Sequence, residues 1–335
     1  MEPVPSLRPF VARLLTVLAV AVLAVAAWKL SDLLLLLFGA LLISLALRAG
    51  AESLARVTPM PAAWGVPVVM LLVLAVLAGA GWLTGDRVAS QFVELARKLP
   101  AAAAGVEDWV DRQPWAEALL TMGTKGDAPS GLLAKLGGLA SSLLGGLGGL
   151  VVILIVAVYL AVDPHSYRHG IVLLFPVTMR GRTDLVLGEL AVSLRNWLVG
   201  QAIAMVSIGA LTTVGLALLG NPLALSLGLL AGLLEFIPFV GPFLAAVPAV
   251  LIALSVAPMD ALWTVLLYLA IQQFEGQVVM PLIQLRMVAL PPVVAVAATV
   301  GMGVLFGVPG VLFATPLVVV LLVLVRRVYV EGLLE

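Results

Sequence analysis

The chain has 335 residues, of which 63% are hydrophobic and 11% charged, with zero formal net charge, two histidines and no cysteine. A soluble domain carries about 25% charged residues, so this composition belongs in lipid, and the missing cysteines exclude disulfides, thiolate metal sites and cysteine nucleophiles. No basic cluster is long enough to make nucleic acid a partner. His165 and His169 lie four apart with no third ligand nearby in sequence, and read as a solvated pair rather than a metal site.

In chain order, residues 10–28 form the first apolar run, read as a retained span because further hydrophobic segments follow at once. Residues 33–47 are the second, joined to the first by so short a polar link that a helical hairpin is expected. Residues 64–83 are the third, with Trp64 marking the membrane interface. Together 1–83 make an N-terminal unit of three spans. Residues 84–136 change character: Val88, Phe92, Leu95 and Leu99 recur at helical spacing, which predicts an extramembrane helical cap resting on the membrane surface. Residues 137–195 supply a glycine-rich fourth span ended by Asp163-Pro164, then an arginine-bearing amphipathic segment expected in the cytoplasm.

Residues 196–335 read as a transport core. A fifth span covers 197–219 and a sixth 261–280. Each is followed by an apolar stretch too short for two crossings, which need roughly 40 residues, and too long for one. The first stretch, 223–257, is broken at Pro238, Gly241 and Pro242. The second, 293–325, is broken at Gly307, Pro309 and Gly310. Each break predicts a re-entrant hairpin, because irregular backbone at membrane depth must be buried in protein or line a wet cavity. Placing the arginine-bearing loops in the cytoplasm puts both chain termini inside and requires both hairpins to return to the side they came from. The fold class is therefore all-α and polytopic, with about six full spans and two re-entrant hairpins. The two units of span plus hairpin form an inverted repeat whose tips are expected to meet near mid-membrane.

Glu235 stands just before the first break. A carboxylate there costs at least about 2.5 kcal/mol unless paired, protonated or hydrated, so an ion or proton site is expected. The alternative is a headgroup-level residue, or one that satisfies the tip's free N–H groups. Glu275 is the second candidate: Gln272 shares a helix face with it, while Gln273 and Gln277 share another. These amides could equally bond between helices, as could Asn196, Gln201 and Asn221 at span ends. Nucleophilic triads, phosphate loops and ATP-binding motifs do not stand out, so no enzyme and no cofactor is expected, and active transport would be gradient-driven or use a partner. Export of a small polar solute is expected first, with exchange of a monovalent cation for a proton as the alternative. A non-transporting scaffold is the reading from another class.

Four motifs in this order carry a resemblance: Trp197-Leu198-Val199-Gly200-Gln201, residues 235–242 (Glu-Phe-Ile-Pro-Phe-Val-Gly-Pro), residues 274–281 (Phe-Glu-Gly-Gln-Val-Val-Met-Pro), and Phe306-Gly307-Val308-Pro309-Gly310 with Pro316. The chain resembles the AI-2E family of membrane proteins, the autoinducer-2 exporter-like transporters. The resemblance implies a multi-span protein of the bacterial inner membrane, oligomeric, exporting a small polar signal or exchanging sodium for protons. Two positions depart from the family pattern: Gln277 stands where an Asn is usual, and Leu290-Pro291-Pro292 lacks the His of a Leu-His-Pro turn.

Overall fold

The computed structural model describes residues 28–111, 147–284 and 291–334, with Leu18, Val22, Val25 and Ala26 before them. Most of the first expected span and the end of the expected cap lie outside the described residues. All regular structure among the described residues is helical: α1 (Ser31–Val57), α2 (Ala62–Asp111), α3 (Leu147–Val162), α4 (Pro164–Leu173), α5 (Val177–Leu218), α6 (Ala224–Leu234), α7 (Val240–Val256), α8 (Pro258–Phe274), a π-helical turn (Glu275–Val279), α9 (Met280–Gln284), α10 (Pro292–Leu324) and a π-helical tail (Val325–Leu334).

Four stretches are long and apolar enough to cross a membrane: Ser31–Val57, Val177–Leu218, Pro258–Ile283 and Pro292–Glu331. Where the composition changes at 83/84, α2 runs on without a break. Its far part packs against the rest of the bundle. Phe92 and Leu95 join Leu216, Leu223, Leu227, Ala249 and Ile252 in one apolar cluster. Gln91 Oε1 accepts a hydrogen bond from the Ser226 N–H at 3.0 Å. That N–H lies in the first turn of α6, where it has no partner within its own helix. The expected cap residues thus close over the base of the first hairpin.

Residue size sets the hairpin's position. Gly228 and Gly232 of α6 lie against Gly209 and Thr213 of α5, so closely that a Cβ on Gly232 would stand 2.7 Å from the Met205 carbonyl oxygen. Small residues four apart let helix backbones touch in lipid, where there is little hydrophobic drive to bring helices together.

Arginine contacts between helices gather at one end. Arg48 and Arg195 both pair with Glu52, at 3.2 and 2.5 Å, and Arg48 Nη1 also donates to the Ala161 carbonyl. Arg327 pairs with Glu189 and Glu331, while Arg182 donates to the Arg327 carbonyl at 2.5 Å. Half-exposed pairs like these contribute about 0–1 kcal/mol each, so they align helix ends rather than hold the bundle. They bring the arginines of three separate segments to one end, as the charge distribution along the chain predicts. At this end α3 turns by 87° into α4. The turn follows from sequence: Asp163 caps α4 by accepting the Ser166 N–H at 3.2 Å, and Pro164 occupies its first turn.

The second break folds the chain back. By length and composition α10 could be one crossing, but Gly307 inside it has φ 62° and ψ −142°. Met302 and Gly310 would stand about 12 Å apart along a straight helix. Instead, a Cβ on Gly310 would lie 2.1 Å from the Met302 carbonyl oxygen. Pro292–Leu324 is therefore two arms. The backbone at Gly307 is open to glycine and strained for any side chain, so Gly307→Ala should destabilise by about 1–3 kcal/mol. Gly301, with nothing within 4 Å of its Cβ position, is the control. Thermal unfolding in detergent should show a lowered midpoint for Gly307→Ala and an unchanged or raised one for Gly301→Ala.

A buried carboxyl pair as the candidate functional site

The first tip is built by short-range turns. After α6 the N–H groups of Phe236 and Ile237 reach back three residues, to Leu233 at 3.2 Å and Leu234 at 3.0 Å. Pro238 can make no such bond. The chain reverses at Phe239, which has φ 68° and ψ −40° and is bridged by a Val240 N–H to Pro238 carbonyl bond of 2.9 Å. This is a γ-turn in its strained form. Gly241 then passes so near the first arm that a Cβ would lie 2.0 Å from the Leu234 carbonyl oxygen. Pro242 sits in the first turn of α7, where a missing N–H costs little.

Glu235 is the last residue before this turn and is wholly buried. Its carbonyl accepts the Gln201 Nε2 of α5 at 2.5 Å. The neighbouring Phe236 ring packs edge-on against Trp197, with centroids 5.7 Å apart. One turn of α5 therefore holds the tip by a polar and an aromatic contact together.

The second carboxyl arrives from α8, which runs back along α7 with the Tyr268 hydroxyl donating to the Ala245 carbonyl at 3.3 Å. At the end of α8 the helix widens into the π turn, and the Met280 N–H bonds the Glu275 carbonyl five residues back. Such widenings often occur at functional sites. Glu275 is 4% exposed, and its side chain lies beside that of Glu235. Gln272 Nε2 donates to Glu275 Oε2 at 3.0 Å. Neither Glu235 carboxyl oxygen has a hydrogen-bond partner among the described residues. No ion pair among them reaches either acid. Two adjacent acids without a cationic side chain can share the space only with a proton or a small cation between them.

The structure thus brings Glu235, Glu275 and Gln272 together, and Pro238, Gly241 and Pro242 shape the turn that holds Glu235. Gln273 and Gln277 are exposed and stand apart from the pair. The second tip, with Gly307 and Pro309 exposed and Gly310 buried, has a different neighbour: its Phe306 ring lies 5.6 Å from Trp28, just before α1. From the second hairpin it is Val319, well along the returning arm, that reaches the Trp197 cluster, with Phe313 packed beside it. The expected meeting of the two tips is not seen among the described residues, where the first tip packs on Trp197 and the second on Trp28. Gln201 was expected to cap a helix or bond between helices, or less often to touch cargo. Its role at the tip could not be read from sequence, because nothing local says which carbonyl it meets.

The order and chemistry of these motifs agree with a comparison to known families. A profile described as AI-2E family transporter matches residues 15–329. The chain belongs to the AI-2E family. Two curated relatives, both from Bacillus subtilis (strain 168), are "Putative transport protein YueF", 28% identical over 158 residues (47% of this chain and 43% of the relative), and "Putative transport protein YrrI", 31% identical over 166 residues (50% and 47%). The matched segments cover less than half the length of these relatives. Membership in the AI-2E family, with four helices able to span a membrane, points to a multi-pass membrane protein.

Proposed function

We propose that this AI-2E chain is a secondary membrane transporter in which the Glu235–Glu275 pair exchanges a proton for a monovalent cation. The observation that carries this reading is the pair itself: two buried acids side by side, with both Glu235 oxygens unpartnered among the described residues. A site of this kind binds one small positive charge at a time, which is what obligatory exchange requires. The strained Phe239 turn supports it, since backbone strain clusters where a segment has more than one arrangement to adopt. The first hairpin would be re-entrant from the face opposite the arginine end, and the second from the arginine end, as in an inverted repeat. The arginine end would face the cytoplasm of a bacterial cell with both termini there. Exposed Gln273 and Gln277, four apart on one helix face, suit an interface with another copy, because lipid offers amides no partner.

Proteoliposomes loaded with a pH-sensitive dye test the reading under imposed sodium, potassium and pH gradients. Wild type should show cation-dependent proton flux and Glu235→Gln none. Equal flux in both proteins, or none in wild type, would overturn it. Absence of flux in wild type would turn the search to export of a small polar solute such as an autoinducer-2-like signal.

A further inference from the structure

The pair is enclosed, so an exchange site there needs a route to water. On α8 the residues Asp260, Thr264, Tyr268 and Gln272 recur at intervals of four, and Glu275 follows three later. This spacing lays them along one helix face. The exposed leucines Leu262, Leu266 and Leu269 occupy the opposite face. Asp260 is exposed at the start of α8, Thr264 is buried, and Gln272 hydrogen-bonds Glu275. A polar line therefore runs from the end of the bundle near Asn221 down to the carboxyl pair.

A second observation comes from the facing helix. Thr212 of α5 is wholly buried, and its hydroxyl has no partner among the described residues. A threonine inside a helix can bond back to the carbonyl four residues earlier, as half-buried Thr213 and buried Thr264 and Thr299 do here, each at 2.8 Å. Thr212 does not. It lies one turn from Ile208 and one turn from Leu216, and both belong to apolar clusters against which Leu267 and Tyr268 pack. Thr212 therefore sits on the α5 face that packs with α6 and with Leu267 and Tyr268 of α8. Buried polar atoms of this kind are satisfied by ordered water when the protein supplies no partner.

We propose that Thr264, Tyr268 and Gln272 of α8, with Thr212 of α5, line a hydrated route by which protons and small monovalent cations reach Glu235 and Glu275 from the Asn221 end. This rests on reading the pair as the exchange site. The route runs between helices, beside the first hairpin rather than through its tip. Thr212 and Tyr268 act as positioning residues, holding water in line with the pair.

The test uses the full chain, whose lack of cysteine makes every introduced thiol the only one. Thr212→Cys and Thr264→Cys in proteoliposomes are treated with a small cationic methanethiosulfonate, with lipid-facing Leu262→Cys and Leu269→Cys and core Ala249→Cys as controls. Thiols ionise and react only where water reaches them, so the two route positions should label at least about tenfold faster than the controls. Labelling at the control rate in both would overturn the route. A second readout is Thr212→Val, which keeps shape and removes the hydroxyl. It should slow cation-dependent proton flux several-fold at unchanged thermal stability, and unchanged flux would overturn the role of Thr212. Because labelling does not depend on flux, protected thiols alongside flux that Glu235→Gln abolishes would reject the route alone. Fast labelling without any such flux would reject the exchange reading alone.

Discussion

In the flux assay, Glu235→Gln, Glu275→Gln and the double variant should all fall to the same residual level, at least about tenfold below wild type, with no further loss on combining them. Residues that act as a unit give non-additive effects, and these two carboxyls can serve exchange only by sharing one proton or cation. Glutamine preserves size and hydrogen-bonding capacity while removing the titrating group. Either substitution therefore removes the exchangeable charge, and the second has nothing left to remove. Gln272→Leu provides a graded comparison: it deletes the donor to Glu275 Oε2 but leaves both acids, so reduced flux with a shifted pH profile is expected in place of complete loss. Additive losses from the two glutamines would mean two independent sites and would sink the shared-proton account.

Gly228→Val should prevent assembly of the first hairpin against α5. A Cβ at 228 would stand 1.9 Å from Thr213 Oγ1, and also 2.7 Å from the Thr213 backbone nitrogen and 2.8 Å from its Cα. Rotating the threonine would relieve the first contact only. The others require the helices to part, and separating them would draw Gln201 away from the Glu235 carbonyl and Trp197 from Phe236. Overpacking a tight contact usually costs about 1–3 kcal/mol. Here the obstacle is backbone, and the cost should reach the top of that range or exceed it. Purified protein should show a markedly lower unfolding midpoint in detergent, with flux lost alongside. Gly149→Ala, in open space on α3, should change neither. A Gly228→Val protein that melts and transports like wild type would show that the helices do not meet as described.

Hydropathy, prolines and glycines were enough to identify a membrane protein and to place both breaks, because lipid penalises irregular backbone and leaves few residue types that can form it. Pro238, Gly241, Gly307 and Gly310 mark the two reversals, and the geometry at Phe239 and Gly307 shows why. The arginines were enough to predict one shared end. Glu235 and Glu275 stood out singly, as acids that lipid cannot leave unattended. Their pairing was decided by tertiary structure, since it depends on α6 and α8 running to the same depth from neighbouring turns, 40 residues apart in sequence. Contacts also decided that residues 88–99 continue α2 and close the first hairpin's base: an amphipathic pattern tells which face is apolar, never what covers it. The second tip illustrates the same division. Its break was legible, but its neighbour Trp28 was not, because glycines and prolines specify where a chain turns and only packing specifies what the turn meets.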